Sequence, residues 1–245
     1  MASLNLYQVF SIEKEEKVSV LLLSFQSIFV GIFYGSFDIS AHALFLEVYP
    51  AKMIPNAYVV SGVVGILLTF LYSKFQSSIK FRNLAVINLL FVAVATAILW
   101  YGFSLTSNNY LIFAVFVMMG PLNIIVLLGF WGTAGRLFTL RQGKRLFGLI
   151  DSGQIFGIII STYAIPFLLD MGFDTRNLLL IAALSIGTAT VLQWAISSRY
   201  ELDKAKSVDS GEELQATELG LKELFRRPYE RLMAIFVVLS MVTAF

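Results

Sequence analysis

From Val18 to Phe37 the chain runs for 20 residues without a charged side chain. Runs of similar length recur as far as residue 196, set off by short charged or polar stretches. About 20 residues rising 1.5 Å apiece match a hydrocarbon core of roughly 30 Å, and lipid offers the peptide groups no hydrogen-bond partner, so such runs must pair their own backbone as helices. Composition agrees: 58% of residues are hydrophobic, 14% are charged and the mean hydropathy is +0.78, whereas a soluble domain carries about 25% charged residues. The fold class expected is all-α, a polytopic membrane protein whose first partner is the lipid bilayer.

Six spans are expected, at 18–37, 54–73, 82–103, 111–133, 146–169 and 178–196. Residues 1–17, with Leu6, Phe10 and Ile12 ahead of a charged run, read as a cytoplasmic amphipathic lead-in. Residues 197–231 read as a cytoplasmic linker with an amphipathic helix of its own. Residues 232–245 begin a seventh span that stops too soon to cross, so the chain is expected to be the N-terminal part of a longer protein. The N-terminus lacks the basic start and small-residue cleavage site of a signal peptide, and the first span is expected to be retained.

Counting loops alternately, all but two of the 18 Lys and Arg fall on one side, and only Lys52 and Arg176 fall on the other. Cytoplasmic loops hold such an excess, which places the N-terminus and the 197–231 linker in the cytoplasm. Three spans followed by three more are necessarily inverted relative to each other, and 18–103 and 111–196 match in length. Inverted three-span repeats build each half of major facilitator transporters, which bind solute near the midplane between two such halves. A 3+3 six-helix N-terminal half is therefore expected.

The chain has no Cys and a single His, His42, which excludes disulfides, thiolate metal sites and His-rich metal clusters. A net charge of +2 gives nucleic-acid binding no support. Phosphate-cradling glycine loops, dinucleotide fingerprints and nucleophile triads are absent, so no cofactor is expected and an enzyme is disfavoured.

Small residues four apart let helices approach closely in lipid, and Gly31 with Gly35, Ser61 with Gly65, and Gly153 with Gly157 have that spacing. Gly120 and Pro121 are expected to interrupt the fourth span near its middle. Ionisable groups at membrane depth point to function. Asp38 and His42, four apart and on one helix face with Tyr34, could line a pathway and couple proton movement to it; the alternative is solvation among the outer headgroups. Asp151, with Gln154 nearby, could lock onto the cations at Arg141–Arg145 or face the solute path. Asn123, Trp131 and Gln193 can hydrogen-bond a ligand or a neighbouring helix. Arg136, Arg141, Lys144 and Arg145 hold the topology and can also concentrate anions as a cytoplasmic funnel or gate.

The stretch Phe130-Trp131-Gly132-Thr133-Ala134, followed by Gln142-Gly143-Lys144-Arg145-Leu146-Phe147-Gly148-Leu149 and by Gly153 and Gly157, resembles the span-four to span-five region of the bacterial and plastid ATP/ADP translocases. Leu224–Phe236, reading LFRRPYERLMAIF, is similar to their approach to a seventh span. The resemblance covers about a third of the chain. It implies a major-facilitator-like protein of about twelve helices, a C-terminal half as partner, residence in the bacterial inner membrane, and ATP/ADP exchange or nucleotide import. Two positions depart from the pattern: those translocases carry a substrate-linked Lys in the first span, where 18–37 has no charge, and Gly135 stands where they have Asn. The expected function is thus secondary transport by alternating access of a small organic anion or nucleotide, ATP and ADP included. The alternative is a non-transporting membrane module that anchors or regulates cytoplasmic domains.

Overall fold

Long apolar stretches with few internal breakers leave the backbone one economical solution, and the described residues take it six times. A computed structural model describes residues 13, 16–105, 108–203 and 232. The lead-in through residue 12, the linker from 204 and the seventh span apart from Leu232 lie outside the described residues. Helices α1 (Lys17–Val48), α2 (Ile54–Ser78), α3 (Phe81–Leu105), α4 (Asn109–Leu137), α5 (Leu140–Asp170) and α6 (Leu178–Arg199) follow in order, with 3-10 turns at Ala51–Met53 and Thr175–Asn177. Each of the six is long and apolar enough to cross a membrane. Large apolar side chains such as Leu21, Ile66, Phe70, Ile98 and Phe167 are exposed on the outside of the bundle, as the architecture of a helical membrane protein requires.

α1 sits at the centre. It lies against α5 most extensively, then α6 and α4, while α3 packs on α6 and α4, and α2 packs on α4. The directions follow from which ends meet. Glu16, beside the start of α1, reaches Arg145 near the start of α5, so these helices run parallel. Ser40 of α1 bonds to Thr175 just before α6, and Tyr49 at the end of α1 bonds to Asn109 at the start of α4, so those pairs run antiparallel. Between the helices lies an apolar core whose largest fully buried side chains include Phe33, Phe37, Phe45, Phe116 and Phe130.

The α1–α5 crossing is made of backbone. A Cβ placed on Gly31 would fall on the carbonyl of Gln154, one on Gly153 on the hydroxyl of Ser27, and one on Gly157 on the carbonyl of Ile28. The paired small residues therefore mesh with each other, and nothing larger than hydrogen fits. The α2–α4 crossing uses the other pair: Ser61 Oγ lies 3.0 Å from where a Gly120 Cβ would sit, and Gly65 faces Pro121 and Ile124.

Three features of the helices depart from expectation. α1 continues 11 residues past residue 37, through Asp38 and His42, to Val48; the polar side chains remain helical because they find partners on other elements. α5 begins at Leu140, so Arg141–Arg145 lies in its first turns, started by a capping box in which Thr139 and Gln142 satisfy each other's backbone. α4 is not interrupted at Gly120–Pro121 but runs unbroken through both. Gly65 of α2 lies beside the proline ring, and the helix forgoes the hydrogen bond that the missing N–H would have made.

Gly157→Leu is expected to destabilise the folded chain by about 3 kcal/mol or more, the upper range of over-packing. Gly187→Leu, where a Cβ meets nothing within 4 Å, serves as the control and should be close to neutral. Thermal unfolding in detergent reads both.

Candidate functional site

Tyr34, Asp38 and His42 recur every fourth residue along α1, so they share one face. That face meets α4 and α2. Asn123 Nδ2 donates to Asp38 Oδ1 at 3.1 Å, and the Tyr34 hydroxyl donates to the Asn123 backbone carbonyl at 3.3 Å. Asn123 is the central residue of the 29 in α4, so the carboxylate is tied to the middle of a membrane-spanning helix. His42 Nδ1 lies 2.8 Å from the Asp38 backbone carbonyl. A carbonyl only accepts, so Nδ1 carries the proton, which leaves Nε2 facing the Tyr58 hydroxyl of α2 at 3.1 Å. The imidazole also meets the edge of Phe116, with ring centroids 5.2 Å apart. Four of the residues singled out from sequence, Tyr34, Asp38, His42 and Asn123, thus form one constellation, joined by Tyr58, which sequence reasoning missed. Its only signal was that it is one of two tyrosines, with Tyr72, in a mostly apolar second span.

A second polar cluster lies toward the other end of α1. Gln26 Nε2 donates to Gln193 Oε1 of α6 at 2.9 Å, and Gln193 Nε2 lies 3.0 Å from Thr133 Oγ1 of α4 and 3.2 Å from Ser197 Oγ. Gln26, Thr133 and Gln193 are fully buried. Gln193 therefore bonds neighbouring helices, one of the two roles open to it. Gln26 was missed because an uncharged amide in a long apolar run stands out little.

The remaining candidates lie apart from both clusters. Trp131 packs edge-on against Phe147 of α5, with centroids 5.5 Å apart. Gln154 is buried at the α1–α5 crossing with its Nε2 unpartnered. The lock proposed for Asp151 is made by a different acid: Arg145 Nη2 bonds both carboxylate oxygens of Glu16 at 2.7 Å, and Gln142 Nε2 donates to Glu16 Oε1 at 2.8 Å. Asp151 is six residues beyond Arg145 and so on the far side of α5; among the described residues no ion pair reaches it. The funnel of four cations is likewise divided. Arg145 is held by Glu16 and Arg136 lies 4.0 Å over the Phe81 ring, while Arg141 and Lys144 are exposed. A recess of about 250 Å³ between α2 and α3, lined by Leu68, Leu71, Phe75 and Phe91, has only Tyr72 and Asn88 as polar groups and offers an anion no charge. Among the described residues no group of three His, Asp or Glu could hold a metal.

Two measurements check these assignments. A double-mutant cycle on Gln26→Leu and Gln193→Leu should return a coupling of about 0.6–1.7 kcal/mol, the range of interhelical hydrogen bonds in membranes. Arg145→Met alone should destabilise by about 3 kcal/mol because Glu16 is left buried and uncompensated; adding Glu16→Gln should recover most of that loss in the same unfolding assay.

Searches against protein-family models, curated proteins and solved structures find no match to this chain, so the functional reading rests on the chemistry of its own residues.

Proposed function

We propose that residues 17–199 are the N-terminal, rocking half of a secondary transporter that works by alternating access on a small organic anion, with ATP and ADP the first candidates. The observation that carries this reading is the constellation of Tyr34, Asp38, His42, Tyr58 and Asn123 at the middle of α4. An ionisable group at that depth is unfavourable unless function retains it.

The packing supports the 3+3 inverted repeat. Exchanging α1 with α4, α2 with α5 and α3 with α6 maps the α1–α5 contact onto α4–α2 and the α1–α6 contact onto α4–α3. The α1–α4 and α3–α6 contacts map onto themselves. Small residues occupy both equivalent crossings, Gly31, Gly153 and Gly157 in one and Gly120, Ser61 and Gly65 in the other. α2 and α5, equivalent in this scheme, also carry broad exposed apolar faces, among them Val63, Ile66 and Phe70 on α2 and Ile155, Phe156 and Ile159 on α5. Those faces suit a C-terminal half of the same polypeptide. Arg141 and Lys144, exposed at the basic end, would draw anions to the cytoplasmic side of a bacterial inner membrane, the side on which the N-terminus is placed.

One observation favours the second reading, a membrane module that anchors cytoplasmic domains: the Glu16–Arg145 and Gln26–Gln193 pairs use most of their hydrogen-bonding groups within the bundle, Gln26 Oε1 excepted, and leave little for a solute. Uptake separates the two. The full-length protein in proteoliposomes should show counterflow of labelled ATP, ADP or another anion from a broad panel. Asn123→Ala should lower that rate by about tenfold, the equivalent of one lost hydrogen bond near 1.4 kcal/mol. Absence of counterflow across the panel would favour the anchoring module.

A further inference from the structure

Asn123 is only half used. Its Nδ2 donates to Asp38 Oδ1 at 3.1 Å, while its Oδ1 is buried and has no hydrogen-bond partner. An ionised carboxylate can only accept, so it can never supply the donor that Oδ1 lacks. A protonated carboxyl can. A carboxylic acid and a primary amide are complementary: the acid O–H donates to the amide oxygen while the amide N–H donates to the acid carbonyl, which closes a ring of two parallel hydrogen bonds.

We propose that Asp38 and Asn123 form a proton-binding site. With the carboxyl ionised the pair holds one hydrogen bond and strands the Asn123 oxygen; a proton taken from water onto Asp38 Oδ2 completes the second bond, and its release to water restores the first state. No bond within the protein is broken in either direction. Because Asp38 is on α1 and Asn123 at the centre of α4, the proton changes the tie between the two helices that the exchange of triplets relates. As the coupling step of transport, this proposal rests on the function proposed above; as a proton site it stands on the geometry alone.

The surroundings fit that assignment. The titratable groups that face Asp38 are Tyr34 and His42 of its own helix and Tyr58 of α2. α4 contributes Asn123 and Phe116, neither of which ionises. Among the described residues no charged group of α5, α6 or the Thr175–Asn177 turn bonds to the carboxylate. His42 cannot supply the missing donor to Asn123, because its Nδ1 proton is held by the Asp38 backbone carbonyl and its Nε2 faces Tyr58. Asp38 and His42 are half-buried, so the carboxyl is not sealed within the bundle.

Infrared difference spectroscopy of the full-length protein in lipid, between acid and alkaline pH, tests the site without any solute. The carbonyl band of a protonated carboxylic acid should appear on acidification, move in heavy water, and vanish in Asp38→Asn. In Asn123→Leu, which keeps the volume and removes the amide, the band should persist but shift to higher frequency as its hydrogen bonds are lost. Should Asp38→Asn fail to fold, the frequency shift in Asn123→Leu decides. A band that neither substitution alters, or the absence of any such band, overturns the proposal. Loss of solute counterflow with the band intact removes the transport reading and leaves the proton site standing.

Discussion

At the centre of the structure two helices meet with nothing between their backbones. Gly31, Gly35, Gly153 and Gly157 bring α1 and α5 into direct contact, and in lipid, where no hydrophobic force draws helices together, such close packing supplies much of the attraction. Because α1 also touches α4 and α6, fixing its rotation against α5 fixes which of its faces each neighbour sees. The face carrying Tyr34, Asp38 and His42 is turned to α4 and α2, and Gln26 is turned to α6. Both polar clusters therefore depend on a crossing set by glycines and small side chains such as Ser27 and Ser161.

The buried polar groups divide into two kinds. Hydroxyls such as Thr96, Thr133, Ser161 and Thr190 bond to carbonyls one turn back in their own helices and ask little of the fold. Gln26, Gln193, Asp38, Asn123 and Glu16 instead bond between helices, where each lost partner would leave a stranded group in a medium without water. The clamp of Glu16 by Arg145 and Gln142 ties the beginnings of α1 and α5, and the Asp38–Asn123 bond ties the middles of α1 and α4. The first is fully paired. The second keeps one acceptor, Asn123 Oδ1, without a donor, which the proposed protonation of Asp38 would supply.

Much of this was legible in the sequence because it follows from one-dimensional signals. Charge-free runs gave the six helices, and small residues four apart marked the two close crossings. What misled was local reading of residues whose behaviour is set by distant partners. Asp38 and His42 looked like the end of a span, yet α1 continues past them because Asn123 and Tyr58, 85 and 16 residues away along the chain, satisfy them in place. Gly120–Pro121 looked like a break, yet α4 runs through it with Gly65 of α2 beside the ring. The cations at Arg141–Arg145 looked like partners for Asp151, but Arg145, the one that forms a buried ion pair, is turned to another face, and its partner, Glu16, is 129 residues away. Pairings across such separations leave no trace in composition or periodicity.

The central claim is that six helices cross a bilayer with alternating direction and so place Asp38 and Asn123 at depth. Residues 1–245 contain no Cys, so a single thiol introduced among them reports its side without background from this stretch. Lys52→Cys, between α1 and α2, and Ser78→Cys, at the end of α2, should label oppositely with a membrane-impermeant maleimide in intact cells: the first at once, the second only after permeabilisation. Equal labelling of both before permeabilisation would contradict the threading and remove the basis for a site within the membrane.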